Sequence, residues 1–159
     1  DSLRYFNIAG SSPSGKIGLI NKSDHLFKNF SREIIKKKPI LKIYGDNYDT
    51  KDGSCIRDFI HVSDIAEIHY KVLEKINKLN NSKTLNCGYN KGISVLEVAK
   101  TFKKQTSKKV EIFVSKRRKG DLVKIIASNS KLKNFIKWKP KFNNLNTIVK
   151  SCINWEKRQ

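Results

Sequence analysis

Arg57, Asp58 and His61 fall within one short run, residues 52–62, among Ile56, Phe59, Ile60 and Val62. Three polar groups among apolar, β-prone neighbours are more than a purely structural strand needs. A guanidinium is expensive to bury unless it meets an anion, and its planar fork of donors suits a carboxylate or a phosphate. Arg57 therefore either holds a phosphate of a ligand or makes a partly buried ion pair with Asp58 or another carboxylate. The local residues alone favour the ion pair. His61 and His69 read as packed or capping histidines rather than bases, and Trp138 and Trp155 as core anchors of the terminal helices.

The remaining reactive residues exclude some chemistry. Cys55, Cys87 and Cys152 are three in number, with no CxxC spacing, which argues against a disulfide framework and against structural zinc. They read as small core hydrophobes in a reducing, cytoplasmic setting. The formal net charge is +20 at pH 7. Clustered Lys and Arg would suit a nucleic-acid backbone, but the lysines are scattered, with short runs only at 36–38 and 103–104. No basic tail and no basic stripe interleaved with aromatics stands out, so nucleic acid is not expected as a partner and the charge reads as a solvated bias.

With 159 residues, 38% of them hydrophobic and 9% aromatic, the chain has the length of one domain or of a piece of a larger one. No run approaches the ~20 apolar residues of a membrane helix, so no membrane partner is expected. Met is absent. The first ten residues read as a strand entering a turn and lack a signal-peptide pattern, so the chain is expected to begin inside a domain.

The elements that must position these residues alternate between strand and helix. A buried strand is predicted over residues 3–8, followed by a Gly/Ser/Pro loop over 9–18 that matches neither GxGxxG nor a Walker P-loop. Leu26, Phe27, Phe30, Ile34 and Ile35 recur at helical spacing, with Asp24 as cap, residues 36–38 in the last turn and Pro39 as the stop. A strand over 41–44 and a turn-rich loop over 45–53 lead into the run around Arg57. A helix opens at Asp64 with Glu67 in capping-box position, its apolar face made by Ile65, Ile68, Val72, Leu73 and Ile76. A polar connector (77–83), a strand (84–89), a helix capped by Ser94 and Glu97, a strand (110–114), a basic turn (117–121), a short strand (125–127) and two helices, from Ser130 and over 145–155, complete the chain. The class is α/β, undivided by any linker.

Taken in order, Tyr5-Phe6-Asn7, Pro13-Ser14-Gly15, the run from Tyr44 to Tyr48, the run around Arg57, Arg117-Arg118-Lys119-Gly120-Asp121 and Trp138-Lys139-Pro140 closely resemble the C-terminal half of the UDP-glucose 4-epimerase family, which are extended short-chain dehydrogenases/reductases. Each motif is weak alone, but the ordered set spans nearly the whole chain. The resemblance implies the C-terminal part of an NAD(P)-binding Rossmann-type enzyme including its small substrate-binding domain, one unit over residues 1–159, with the Gly-rich dinucleotide motif lying upstream.

The resemblance also assigns roles. Tyr5 and Phe6 would lie beside the nicotinamide of NAD. Asn7 would bond the diphosphate or sugar region. His25 and Leu26 would line the substrate pocket, and Lys42, Ile43 and Tyr44 would cradle uracil. Arg57 and Arg118 would grip the diphosphate, which shifts the reading of Arg57 from ion pair to phosphate ligand, and Asp121 would accept hydrogen bonds from the ribose. Ile125 occupies the position that sets pocket size towards plain or N-acetylated sugars, and Phe59 stands where Tyr is usual. The implied activity is NAD-dependent interconversion of UDP-glucose and UDP-galactose, a step of galactose and nucleotide-sugar metabolism. C4 of the hexose would be oxidised by hydride transfer, and the keto sugar would turn over before the hydride returns. Firm nucleotide binding with a loosely held sugar suits that reaction. The alternatives are another UDP-sugar dehydratase, decarboxylase or 4-epimerase of the superfamily, and a basic nucleic-acid-binding module. None of Tyr5, Tyr44, Tyr48, Tyr70 and Tyr89 has a Lys four positions on, so the YxxxK pair has no match and no residue is assigned a catalytic role. The chain by itself is expected to be inactive, and the complete enzyme to be a possible homodimer.

Overall fold

The computed structural model describes residues 2–20, 25–76 and 81–159. Its strands are β1 (Ser2–Tyr5), β2 (Asn7–Ala9), β3 (Ile40–Tyr44), β4 (Ile56–Arg57), β5 (Phe59–His61), β6 (Thr84–Cys87), β7 (Ile93–Ser94), β8 (Glu111–Ser115) and β9 (Lys124–Ile125). The helices are α1 (Leu26–Ile35), α2 (Val62–Ile76), α3 (Val95–Lys103), α4 (Ser130–Ile136) and α5 (Leu145–Glu156). Among the described residues, pairing is parallel for β1 with β6, β2 with β5, β3 with β8 and β4 with β9, and antiparallel for β4 with β7. Parallel neighbours joined through helices are the mark of an α/β protein.

Residues 3–8, expected as one strand, form two. β1 pairs with β6 and β2 with β5, and the break at Phe6 lets the chain change partner. The core lies where α1, α3 and α5 meet behind β3. Phe27 and Phe102 have ring centroids 5.6 Å apart, Phe30 and Phe102 5.5 Å, all edge-on, the arrangement the ring quadrupole favours.

Three helix boundaries differ from expectation. Asp24 lies outside the described residues, and His25 occupies the N-cap of α1 without a side-chain cap bond. The helix ends at Ile35, with Lys36 already extended at φ −66°, ψ 162°, so residues 36–38 fall outside it. The Lys108 ammonium, arriving from far along the chain, donates instead to the C-terminal carbonyls of Ile34, Ile35 and Lys36 at 3.3, 2.8 and 2.9 Å. A cation at a helix C-terminus opposes its dipole whichever segment supplies it.

α2 begins at Val62, directly after β5, rather than at Asp64. Asp64 is fully buried. It does not close a capping box but accepts from the Tyr89 hydroxyl at 2.5 Å and from the backbone N–H groups of Lys141 and Phe142, both at 3.0 Å. Glu67 pairs with Lys71 and Lys141 on the surface. Burial overrode the local cap pattern here because a carboxylate inside the fold must be satisfied by whatever donors surround it. At α3 the expected cap forms: the Ser94 hydroxyl accepts from the Glu97 N–H at 3.0 Å.

Candidate functional site

The turn-rich loop after β3 folds back on itself. Gly53 has φ +77°, and a Cβ there would lie 1.8 Å from the Asp46 carbonyl oxygen, so only glycine closes the turn. Asp52 accepts from the Ser54 N–H at 3.0 Å and the Ser54 hydroxyl at 2.8 Å, and from the Ser94 hydroxyl at the start of α3. Burial opposes the Asp52 charge, but these donors outweigh it and hold the carboxyl below the ordinary carboxylate range. The Ser54 hydroxyl in turn accepts from the Leu96 N–H of α3 at 3.0 Å. The loop is thereby tied to α3, and the chain leaves it into β4 with Cys55 and Arg57 facing one hollow.

That hollow has a volume of about 250 Å³. β2 contributes Asn7, the entry of α1 gives His25 and Leu26, β3 gives Lys42, Ile43 and Tyr44, β4 gives Arg57, and the basic turn gives Arg118 and Asp121. Residues more than a hundred positions apart thus converge on one space. Asn29, Phe30, Cys55, Phe59 and Val95 complete its wall. Two of these were legible without coordinates: Asn29 follows Leu26 by three residues on a helix, and Phe59 shares a face with Arg57 by strand alternation. Cys55, expected as a plain core cysteine, is buried but stands at the wall, and burial raises its thiol pKa.

Three of the sequence-predicted site residues stand elsewhere. Tyr5 is 47% exposed at the end of β1, its hydroxyl 2.5 Å from His69 Nε2. Phe6 lines a second, apolar cavity of about 570 Å³ bordered by Ile8, Ala9, Leu19 and Trp155. Ile125 is outside both cavities, in β9 beside Arg57, its partner in register. Asn7 and His25 border both cavities. Burial pushes the His25 imidazole below its ordinary pKa, outweighing a hydrogen bond to the Ile8 backbone, and its Nδ1 has no partner among the described residues.

The charged groups are arranged for an anion. The Arg57 side chain is 12% exposed. Its Nη1 donates to the carbonyls of Leu122 at 2.7 Å and Ile56 at 2.9 Å, and its Nη2 reaches Asp121 Oδ1 at 3.5 Å. The two carbonyls fix the fork, while the long contact to Asp121 is a loose ion pair. The Arg118 guanidinium carbon sits 3.9 Å from the centroid of Tyr44, and Lys42 Nζ lies 5.1 Å from the same ring. Hydrogen bonding to Arg118, with the charge of Lys42, draws the Tyr44 hydroxyl below its ordinary pKa. Three cations against one carboxylate, beside an aromatic face, form a place for an anionic ligand that carries a flat ring. Among the described residues no group of three metal-binding side chains occurs, and no helix is long and apolar enough to cross a membrane.

His61 and Trp138 are packed as expected. His61 is buried, stacks on Phe142 with centroids 4.6 Å apart and accepts from the Ser63 N–H at 3.1 Å. Trp138 is buried against Tyr89, the rings 6.2 Å apart and nearly parallel. Trp155 is only partly buried, its indole donating to the Leu19 carbonyl at 3.0 Å, and His69 is exposed rather than packed.

A parallel α/β framework thus holds this hollow between its strands and loops. The chain belongs to the NAD dependent epimerase/dehydratase family, whose model matches residues 2–88. It is 38% identical over 156 residues to a UDP-glucose 4-epimerase of Azospirillum brasilense, across 98% of this chain and 45% of the relative. Among solved structures, a UDP-glucose 4-epimerase from Stenotrophomonas maltophila with bound NAD and formylated UDP-arabinopyranose superposes with a TM-score of 0.91 at 31% identity, over 98% of this chain and 47% of that one. A UDP-Glc/GlcNAc 4-epimerase from Campylobacter jejuni gives 0.79 at 40% identity, over 99% and 48%. The chain spans about half the length of the relatives it matches.

Proposed function

We propose that this chain is the UDP-binding, C-terminal half of an NAD-dependent UDP-hexose 4-epimerase. The observation that carries the reading is the meeting of Arg57, Arg118, Asp121 and Tyr44 in one hollow. In this reading Arg57 and Arg118 clamp the diphosphate, whose charge their forks match. Tyr44, with Lys42 and Ile43, supplies the face and edge of the uracil slot. Asp121 leaves its loose pairing with Arg57 to accept the ribose hydroxyls. Asn7, His25 and Leu26 border the passage from the diphosphate towards the hexose.

NAD supplies the hydride acceptor in this family's chemistry. The residues of this chain fit only one edge of such a cofactor. The cavity beside Phe6 is walled mainly by apolar groups, Ile8, Ala9, Leu19 and Trp155 among them, with Lys28 and Glu156 paired to each other at its edge, a lining suited to an aromatic ring. Tyr5 and Phe6 would close that face. Ile17 and Leu19 at its rim are 69% and 40% exposed, and Ile20, next in the chain, is 71% exposed, which suits a surface covered by a further part of the same fold. Catalytic acid–base residues are not assigned to this chain. The three cysteines are free and buried, as suits a cytoplasmic enzyme.

Titration with UDP, UDP-glucose and UDP-N-acetylglucosamine by calorimetry tests the reading, with single-stranded and duplex DNA run in parallel across a salt series. Saturable UDP binding that exceeds binding to uridine supports it. Binding to DNA that collapses with salt, together with no response to UDP, would falsify it in favour of a basic nucleic-acid module. The two sugar nucleotides separate a plain-hexose from an N-acetyl preference.

A further inference from the structure

Asp58 lies between two residues that face the hollow, Arg57 and Phe59, and by strand alternation its own side chain points the other way, into the interior. It is fully buried, and its carboxyl group accepts from three backbone donors. Oδ1 accepts from the Tyr89 N–H at 2.9 Å, and Oδ2 accepts from the Asn90 N–H at 2.9 Å and the Ala127 N–H at 3.1 Å. Successive N–H groups of a turn form a concavity for an anion. Here the turn is held open for it: Asn90 has φ +58°, and a Cβ on Gly88 would stand 2.8 Å from Asp58 Oδ2 and 2.5 Å from the Ala127 Cβ. The main chain of Asp58 extends the same junction. Its carbonyl accepts from the Asn7 N–H at 3.1 Å and the Asn7 side-chain amide at 3.2 Å.

Four segments therefore meet on one residue: β2 with Asn7, β4 with Arg57, the turn after β6, and the chain two residues beyond Ile125. The last of these continues the strand that follows Asp121 and Leu122, the groups that touch Arg57. We infer that Asp58 is the positioning residue of the anion grip, setting Arg57 and Asn7 against the segment of Asp121 without touching the ligand. This rests on the UDP-binding reading above.

Asp64 provides an internal control of the same chemistry. It too is fully buried and accepts from two backbone amides, Lys141 and Phe142, and from the hydroxyl of Tyr89, whose N–H serves Asp58, but none of its partners lines the hollow. UDP affinity of Asp58→Asn and Asp64→Asn, each checked for fold by circular dichroism, tests the inference, with Asp58→Asn repeated in an Arg57→Ala background. The expected result is a loss of about tenfold or more in Asp58→Asn and less than about twofold in Asp64→Asn. In the Arg57→Ala background the Asp58→Asn loss should shrink to about twofold or less, because the group it positions is gone. An Asp58→Asn protein that is less stable yet binds UDP like the wild type overturns the inference, as does an equal loss in Asp64→Asn. Should Asp58→Asn not fold, hydrogen exchange of the wild-type chain decides. Greater UDP-dependent protection at the Tyr89, Asn90 and Ala127 amides than at Lys141 and Phe142 supports the inference, and equal protection overturns it. Absence of UDP binding by the wild-type chain overturns the functional reading itself and the inference with it.

Discussion

The Arg118 guanidinium sits over the Tyr44 ring at 3.9 Å, and its neighbour Arg117 sits over Tyr48 at 4.0 Å. The two consecutive arginines thus find different tyrosines, one at the end of β3 and one in the turn after it. Their consequences differ. Arg118 borders the hollow, whereas Arg117 also donates to the Asn47 side chain at 2.5 Å and braces the 45–48 turn. Arg118→Ala is expected to weaken UDP binding by about tenfold or more, the loss of a charge-assisted contact. Arg117→Ala should leave UDP affinity within about threefold and lower stability by about 1 kcal/mol, the scale of an exposed cation–π contact with a hydrogen bond. Calorimetric titration and urea melts of the two variants check this, and equal effects on affinity would remove the distinction.

Arg57 is held differently, by two carbonyls and a long contact to Asp121. Its replacement by Ala should cost roughly 2 kcal/mol of UDP binding. Lys at the same position should recover only part, because an ammonium cannot span two oxygens as a fork does. Isothermal titration of both variants reads this directly. If Arg57→Lys binds UDP as well as the wild type, bidentate recognition is the wrong description.

The strands and helices were legible because each carried a local period and a boundary: apolar residues at helical spacing over 26–35, Ser94 three residues before Glu97, and Pro39 after a basic run. Boundaries shifted where a distant group took over a local role. Lys108 replaced residues 36–38 at the end of α1, and the donors around Asp64 replaced a capping box. The hollow was legible in its membership, since the ordered motifs named Arg57, Arg118, Asp121 and Tyr44 together. Its organisation was not. That Asp58 faces away from the ligand side and binds Tyr89, Asn90 and Ala127 depends on partners 31 to 69 residues distant, and no local spacing encodes them. Ile125 shows the converse: a motif offset named it, while the register with Arg57 sets it beside the hollow rather than in its wall.

Stability should fall on mild acidification. Burial holds the imidazoles of His25 and His61 below the ordinary histidine value of 6.5, with Asp64 partly offsetting this at His61. In the unfolded chain both titrate near that ordinary value. Between it and the lower folded values the unfolded chain binds more protons, so acid favours unfolding. The contribution is complete above about pH 6.5 and is lost as pH drops through the folded values. Asp52, held below its ordinary value of 3.8, adds a second loss at lower pH. Urea midpoints between pH 8 and pH 4.5 should decline on the acidic side, and His61→Gln should flatten that decline. A midpoint that stays level or rises across this range contradicts the assignment.

The Lys28–Glu156 pair offers the sharpest test of packing between α1 and α5. Lys28 Nζ lies 2.7 Å from Glu156 Oε2 and also donates to the Leu19 carbonyl at 2.8 Å, and the side chains are 6% and 8% exposed. Arg32 approaches Glu156 only to 3.9 Å. Lys28→Met fills the same volume but leaves the buried carboxylate with that long contact alone, and should cost about 3 kcal/mol. Adding Glu156→Leu should restore most of the loss, because two apolar groups of similar shape need no compensating charge. The two mutations are thus expected to be strongly non-additive, with a coupling on the order of 2 kcal/mol in a urea-denaturation cycle. Simple additivity would mean that Glu156 finds its charge compensation elsewhere and that the pair does not hold the two helices together.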